Sequence, residues 1–250
     1  MDFHVVIVNY NSENYVQSLY DSLKETSTEP FTYNICDNGS SDKSKAFLED
    51  MKRKNERVSL YYRQQTDELP SSRHHAAAVD LILSQIPDNN YCLVIDVDCY
   101  MFAPEWQKLF INLLDSHKTD CVCTMIDVLG KKRVLPYIAF FRSEMIRQKK
   151  ISFMPDIEKT LSGSKGFDFG YMLDEKCTIT PLDILSPSPT LAGLPKTLVK
   201  KSMDFAHDGY LIAQHMKMGG RGFKAEFYGP WLDRCKSVGR RLLREGHNYV

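Results

Sequence analysis

Two hydrophobic periods alternate along the first half of the chain. Val5-Val6-Ile7-Val8 is an unbroken β-branched run, the mark of a strand buried on both faces. Asn9-Tyr10-Asn11-Ser12 follows with turn and cap chemistry, and then Tyr15, Leu19 and Leu23 recur at helical spacing. The rhythm repeats. A strand is predicted over 33–36, a polar turn over 37–42, a short strand over 58–62 and an alanine-rich helix over 73–86. Tyr91 to Ile95 is another buried run, ending at Asp96-Val97-Asp98. Pro104 suits a first helical turn, and Trp106, Leu109, Phe110, Leu113 and Leu114 make the following helix amphipathic.

Further strands are predicted over 120–125 and 137–141, with Ser143 opening a short helix. Pro181, Pro187, Pro189 and Pro195 point to an irregular segment or lid over 178–195, and 231–245 reads as a basic terminal helix. The βαβ rhythm implies an α/β fold, an open, mostly parallel (mixed) sheet with helices on both faces and a Rossmann-like first half. Ligands of such sheets sit outside the carboxyl ends of the strands. The polar clusters 9–12, 37–42 and 96–98 all fall there.

Charge narrows the partners. Lys and Arg together number 32, as do Asp and Glu, so no global basic field favours nucleic acid. An anionic ligand needs a local site. The seven cysteines lie mostly in apolar runs without disulfide or zinc-knuckle spacing, which favours a reducing compartment such as the cytoplasm. No signal peptide or apolar span of about 20 residues is expected, so any membrane contact is peripheral.

Asp96 and Asp98 flank Val97, and strand alternation predicts both carboxylates on one face. Like charges so placed call for a cation, and oxygen donors suit Mn²⁺ or Mg²⁺. Two solvated acids are the plainer alternative. Asp37-Asn38-Gly39-Ser40 fits both an ordinary turn and a nucleoside pocket, with Asn9-Tyr10-Asn11 as the facing wall and Tyr10 available to stack on a base. Arg73 and His75 open the alanine helix, where unpaired N–H groups favour a phosphate. His207 precedes Asp208-Gly209 at an expected strand end and offers a third metal ligand. In Phe167-Asp168-Phe169-Gly170 the aspartate fits a general base or a helix cap; the triplet lacks the companion motifs of a kinase. Arg234, Lys236, Arg240, Arg241 and Arg244 read as a solvated face or a membrane-surface contact.

Val6-Ile-Val-Asn-Tyr-Asn11, Cys36-Asp-Asn-Gly-Ser-Ser-Asp42 and Val94-Ile-Asp-Val-Asp98 together resemble family-two glycosyltransferases with the GT-A fold, in order and spacing. His75-Ala-Ala-Ala-Val-Asp80, Trp106, Tyr137-Ile-Ala-Phe-Phe-Arg142 and His207 are similar to a subgroup of small bacterial and viral members. The resemblance implies one GT-A domain over 1–250, with a nucleotide-sugar half (1–125) and an acceptor half (126–250) ending in a helix. It implies a UDP-sugar donor, a glycan or other hydroxyl acceptor, a divalent ion on Asp98 and His207, Asp96 near the ribose or a metal-bound water, Asp37 at the base or ribose, and inversion at the anomeric carbon. For a viral member the location is the host cytoplasm. The usual Glu-Asp pair of the acceptor region is absent, and Asp168, or Asp208 as a neighbour, takes the role of base. A nucleotidyltransferase and a non-catalytic nucleotide-sugar-binding module are the alternatives. The first is disfavoured because residues 9–14 lack a glycine-rich basic loop.

Overall fold

A computed structural model describes residues 1–65, 71–128, 131–156, 170–216 and 225–245. The first half alternates as expected: β1 (Phe3–Asn9), α1 (Glu13–Thr26), β2 (Phe31–Asn38), α2 (Asp42–Lys54), β3 (Val58–Arg63), α3 (Ser71–Leu83) and β4 (Tyr91–Ile95). These four strands pair parallel, with β1 between β2 and β4 and β3 outermost. Alternation along β1 divides its side chains between two cores. Val5 and Ile7 pack with Tyr15, Leu19 and Leu23 of α1, whereas Val6 and Val8 pack with Ala76, Val79 and Ile82 of α3. A strand covered on both faces needs an apolar residue at every position, which is why the run is unbroken.

The second half comprises β5 (Cys99–Met101), α4 (Trp106–His117), β6 (Cys121–Val128), β7 (Lys131–Arg142), α5 (Ser143–Gln148), α6 (Tyr171–Lys176), β8 (Ile179–Leu185), a 3₁₀ turn (Pro189–Leu191), α7 (Lys196–Lys201), β9 (Met203–His207), β10 (Tyr210–His215) and α8 (Ala225–Glu245). Among the described residues the strands form one ten-stranded sheet, in the order β3-β2-β1-β4-β7-β6-β8-β9-β10-β5. It is parallel through its first half. Beyond β4 the pairs are antiparallel except β6 with β8.

Two expectations need amendment. The proline-rich segment 178–195 is not wholly irregular, because it contains β8 and the 3₁₀ turn. Pro181 is tolerated because the ladder there joins β8 to β6, and pairing with β9 begins only at Asp183. The terminal helix starts at Ala225, ahead of the predicted 231, and accommodates Pro230. Its buried residues Trp231, Cys235, Val238 and Leu242 recur every three or four positions. Trp231 Nε1 donates to Gln214 Oε1, so α8 buttresses β10. Arg234 donates to the carbonyls of Thr190 and Ala192, while Lys236, Arg240, Arg241 and Arg244 are exposed.

Trp106 is fully buried, and its Nε1 donates to Ser27 Oγ at 2.7 Å, docking α4 on the end of α1. All seven cysteines are free thiols, and all but Cys177 are buried, as small hydrophobes should be. No helix of the described residues is long and apolar enough to cross a membrane.

Candidate functional site

The chain leaves β4 through a tight turn. Cys99 N–H donates to Asp96 C=O at 3.1 Å, and Asp96 N–H donates to Tyr137 C=O of β7 at 2.9 Å. Val97, which the sequence reading places with the two aspartates at the nucleotide site, has its side chain buried in the core. Asp96 and Asp98 do share a side, as alternation predicted, but a hydrogen-bonded turn brings them together rather than an extended strand. Immediately afterwards β5 pairs antiparallel with β10, placing His215 opposite Cys99. Met216 N–H donates to Asp98 C=O at 3.1 Å and locks the register.

The result is a compact cluster. His215 Nε2 stands 2.9 Å from Asp98 Oδ1 and 3.6 Å from Asp96 Oδ2. One ligand atom from each of Asp96, Asp98 and His215 lies within 4.8 Å of the others. A six-coordinate ion about 2.1 Å from its donors holds neighbouring donors about 3 Å apart, so the set fits Mn²⁺ or Mg²⁺. Two carboxylates with one imidazole favour a transition metal over calcium. His75 Nε2, in the first turns of α3, lies 3.8 Å from Asp96 Oδ1. Tyr15 borders the cluster through Met216, and burial followed by the Asp98 charge pushes its phenol far up, so it stays neutral.

His207 is elsewhere. Asp208 and Gly209, at φ 46° and 76°, turn β9 into β10, and Met203 faces His215 at the other end of that hairpin. Five residues of strand separate the tip from the cluster, about 17 Å. At the tip His207 Nδ1 meets Pro181 C=O at 3.1 Å, and Asp208 is almost fully exposed. The histidine beside Asp96 and Asp98 is thus His215, on the next strand, and neither His207 nor Asp208 lies in that cluster. An Asp-Gly pair between two apolar runs is a hairpin signal. It could have placed His207 at a tip and a later histidine at the base. Asp168 lies outside the described residues.

A second polar cluster is built from the ends of β1 and β2. Asn9 is fully buried, and its Nδ2 reaches Asp37 Oδ1 at 2.9 Å, Ser40 Oγ at 3.0 Å and Ser44 Oγ at 3.1 Å. Its Oδ1 accepts from Ser12 N–H, and Asp37 Oδ2 accepts from Ser40 N–H at 3.1 Å. Asn9 and Asp37 therefore set the shape of this edge. Asn11, at φ 50°, accepts from Ser41 N–H at 2.7 Å and ties the two loops together. Tyr10 is 40% exposed, and Asn38 is buried with an Oδ1 that has no partner among the described residues. Arg73 Nε is likewise buried and unpartnered there. Among the predicted binding residues the structure thus brings His75 within 3.8 Å of Asp96, bonds Asn9 to Asp37, and links Asn11 to both through Ser40.

The sequence matches the pattern of glycosyl transferase family 2 over residues 4–166. No curated protein matches it in sequence. Among solved structures, the chain is similar to TarS 1–349 of S. aureus in complex with UDP, at 20% identity and a TM-score of 0.50, over 73% of this chain and 58% of that one. It is also similar to the galactosyltransferase LgtC in complex with donor and acceptor sugar analogues, at 11% identity and a TM-score of 0.57, over 95% of each chain. The chain thus spans about 58% of the length of the TarS fragment. The mixed sheet with its helices is the GT-A glycosyltransferase fold, and the protein belongs to glycosyl transferase family 2.

Proposed function

We propose that this glycosyltransferase moves a sugar from a nucleotide-sugar donor, of UDP type, to an acceptor hydroxyl, with a divalent ion held by Asp96, Asp98 and His215. The observation that carries the reading is the convergence of those three side chains within 4.8 Å at the carboxyl edge of β4. A bound Mn²⁺ or Mg²⁺ supplies charge neutralisation for the departing diphosphate.

The chain's own residues do the rest. Tyr10, exposed at the end of β1, offers a ring for a base, and the unpartnered Asn38 Oδ1 accepts from a base N–H. Asp37 keeps one lone pair on each oxygen for a ribose hydroxyl after its bonds to Asn9 and Ser40. Arg73 and His75, near the start of α3, present donors to phosphate beside Asp96. Asp168 takes the acceptor's proton; the neighbouring Gly170 lies against Pro136, next to Tyr137. The acceptor oxygen bonds to the anomeric carbon as its bond to the diphosphate breaks, with inversion, and UDP leaves.

Turnover of a panel of UDP-sugars with Mn²⁺ tests this. Release of UDP is the expected product. Pyrophosphate would instead identify a nucleotidyltransferase, and a UDP-sugar that is bound but recovered intact would leave a binding module.

A further inference from the structure

Tyr137 touches the Asp96–Asp98–His215 cluster twice. Its carbonyl accepts the Asp96 N–H at 2.9 Å, fixing the start of the turn that carries both carboxylates. Its ring lies on His215, with centroids 4.5 Å apart and planes tilted by 34°. Phe205 on β9 completes the cluster, 5.9 Å from His215 at 24° and 6.0 Å from Tyr137 at 12°.

Strand pairing fixes where the His215 backbone runs, but not where its ring nitrogen points. The second side-chain torsion of histidine is broad and roughly two-fold. Packing must set the ring plane, and among the described residues the rings of Tyr137 and Phe205 lie against it. The His215 side chain is only 3% exposed, so it has little room to swing away from them. Metal sites with loosely held ligands lose affinity, because the ordering of each ligand is then charged against binding.

We infer that Tyr137 is a positioning residue for the divalent-ion site: its ring, not its hydroxyl, holds His215 Nε2 toward Asp98. The inference rests on the cation reading above. It predicts a metal-affinity effect that depends on an aromatic ring at 137 and is separable from stability.

The test is the Mn²⁺ dissociation constant, read from the free-ion electron paramagnetic resonance signal, for the wild-type chain, Tyr137→Phe, Tyr137→Leu and Tyr137→Met, with a thermal melt of each. Loss of the ring should weaken Mn²⁺ binding by about tenfold or more in the Leu and Met variants, while Phe stays within about twofold of wild type. Met follows the ring's bulk with a flexible chain, so it keeps the test alive should the Leu variant fail to melt cooperatively. A folded Leu or Met variant with wild-type affinity overturns the inference, as does a Phe variant as weak as they are. Wild-type protein that binds no Mn²⁺ fails differently, removing the cation reading and the inference with it.

Discussion

His215 Nε2 and Asp98 Oδ1 stand 2.9 Å apart, although they come from different halves of the sequence. Their meeting follows from register: β5 starts one residue after Asp98 and pairs with the end of β10, so Cys99 faces His215. His207, on the neighbouring strand, is carried to the far tip of the same hairpin. His215→Ala should therefore weaken Mn²⁺ binding by about tenfold or more, and His207→Ala should leave it unchanged, both read by calorimetric titration. Equal effects in the two variants would contradict this assignment.

Asn9 joins three hydroxyl or carboxylate groups around the end of β1. Asn9→Ala strips a donor from the buried Asp37 carboxylate and leaves Ser40 and Ser44 to rearrange. It should cost about 2–3 kcal/mol, measured by urea unfolding. A loss under about 0.5 kcal/mol would mean that water replaces the amide and that the network is not structural.

Asp80 of α3 accepts from Ser152 Oγ at 2.6 Å and Phe153 N–H at 2.8 Å. Burial raises its carboxyl above the usual 3.8, and these two hydrogen bonds only partly oppose the shift. With the folded value above the unfolded one, its contribution to stability is present below about 3.8 and is lost as pH rises through the folded value. Asp80→Asn is neutral throughout. Its stability relative to wild type should improve as pH rises above about 4, seen in paired urea melts. A difference that does not change with pH would contradict the assignment.

Gly170 sits at φ 81°, and a Cβ built on it would stand 2.7 Å from Pro136 Cγ. Its N–H donates to Phe153 C=O, beside the residues that Asp80 holds. Gly170→Ala combines a left-handed backbone with a clash against a rigid ring, and should lower stability by about 1–3 kcal/mol. A melting temperature equal to wild type would show that the segment shifts freely.

The parallel half of the fold was legible because buried strands such as Val5–Val8 and Tyr91–Ile95 carry no polar interruption, and because Asp96-Val97-Asp98 ends one of them. The antiparallel half was harder to read. Pro181 masks β8, since a proline in a strand is acceptable only where the ladder lacks a second partner, and pairing is not a local property. Asp96 and Asp98 could be read together since they are two residues apart, whereas the histidine that lies beside them depends on hairpin register. His207 ends its strand as locally expected, but that end is the tip of the hairpin. The role of Asn9 was legible as a position, not as a chemistry, because only the folded loops show its amide spent on Asp37, Ser40 and Ser44.

The central claim is that Asp98, with Asp96 and His215, holds a divalent ion for a nucleotide diphosphate. Calorimetric titration of UDP into the wild-type chain and Asp98→Ala, each with and without Mn²⁺, tests it most directly. Wild type should bind UDP at least about tenfold tighter with Mn²⁺, and Asp98→Ala, still folded by its melt, should lose that enhancement. UDP binding that ignores Mn²⁺ in wild type, or an enhancement that survives in Asp98→Ala, would contradict the account.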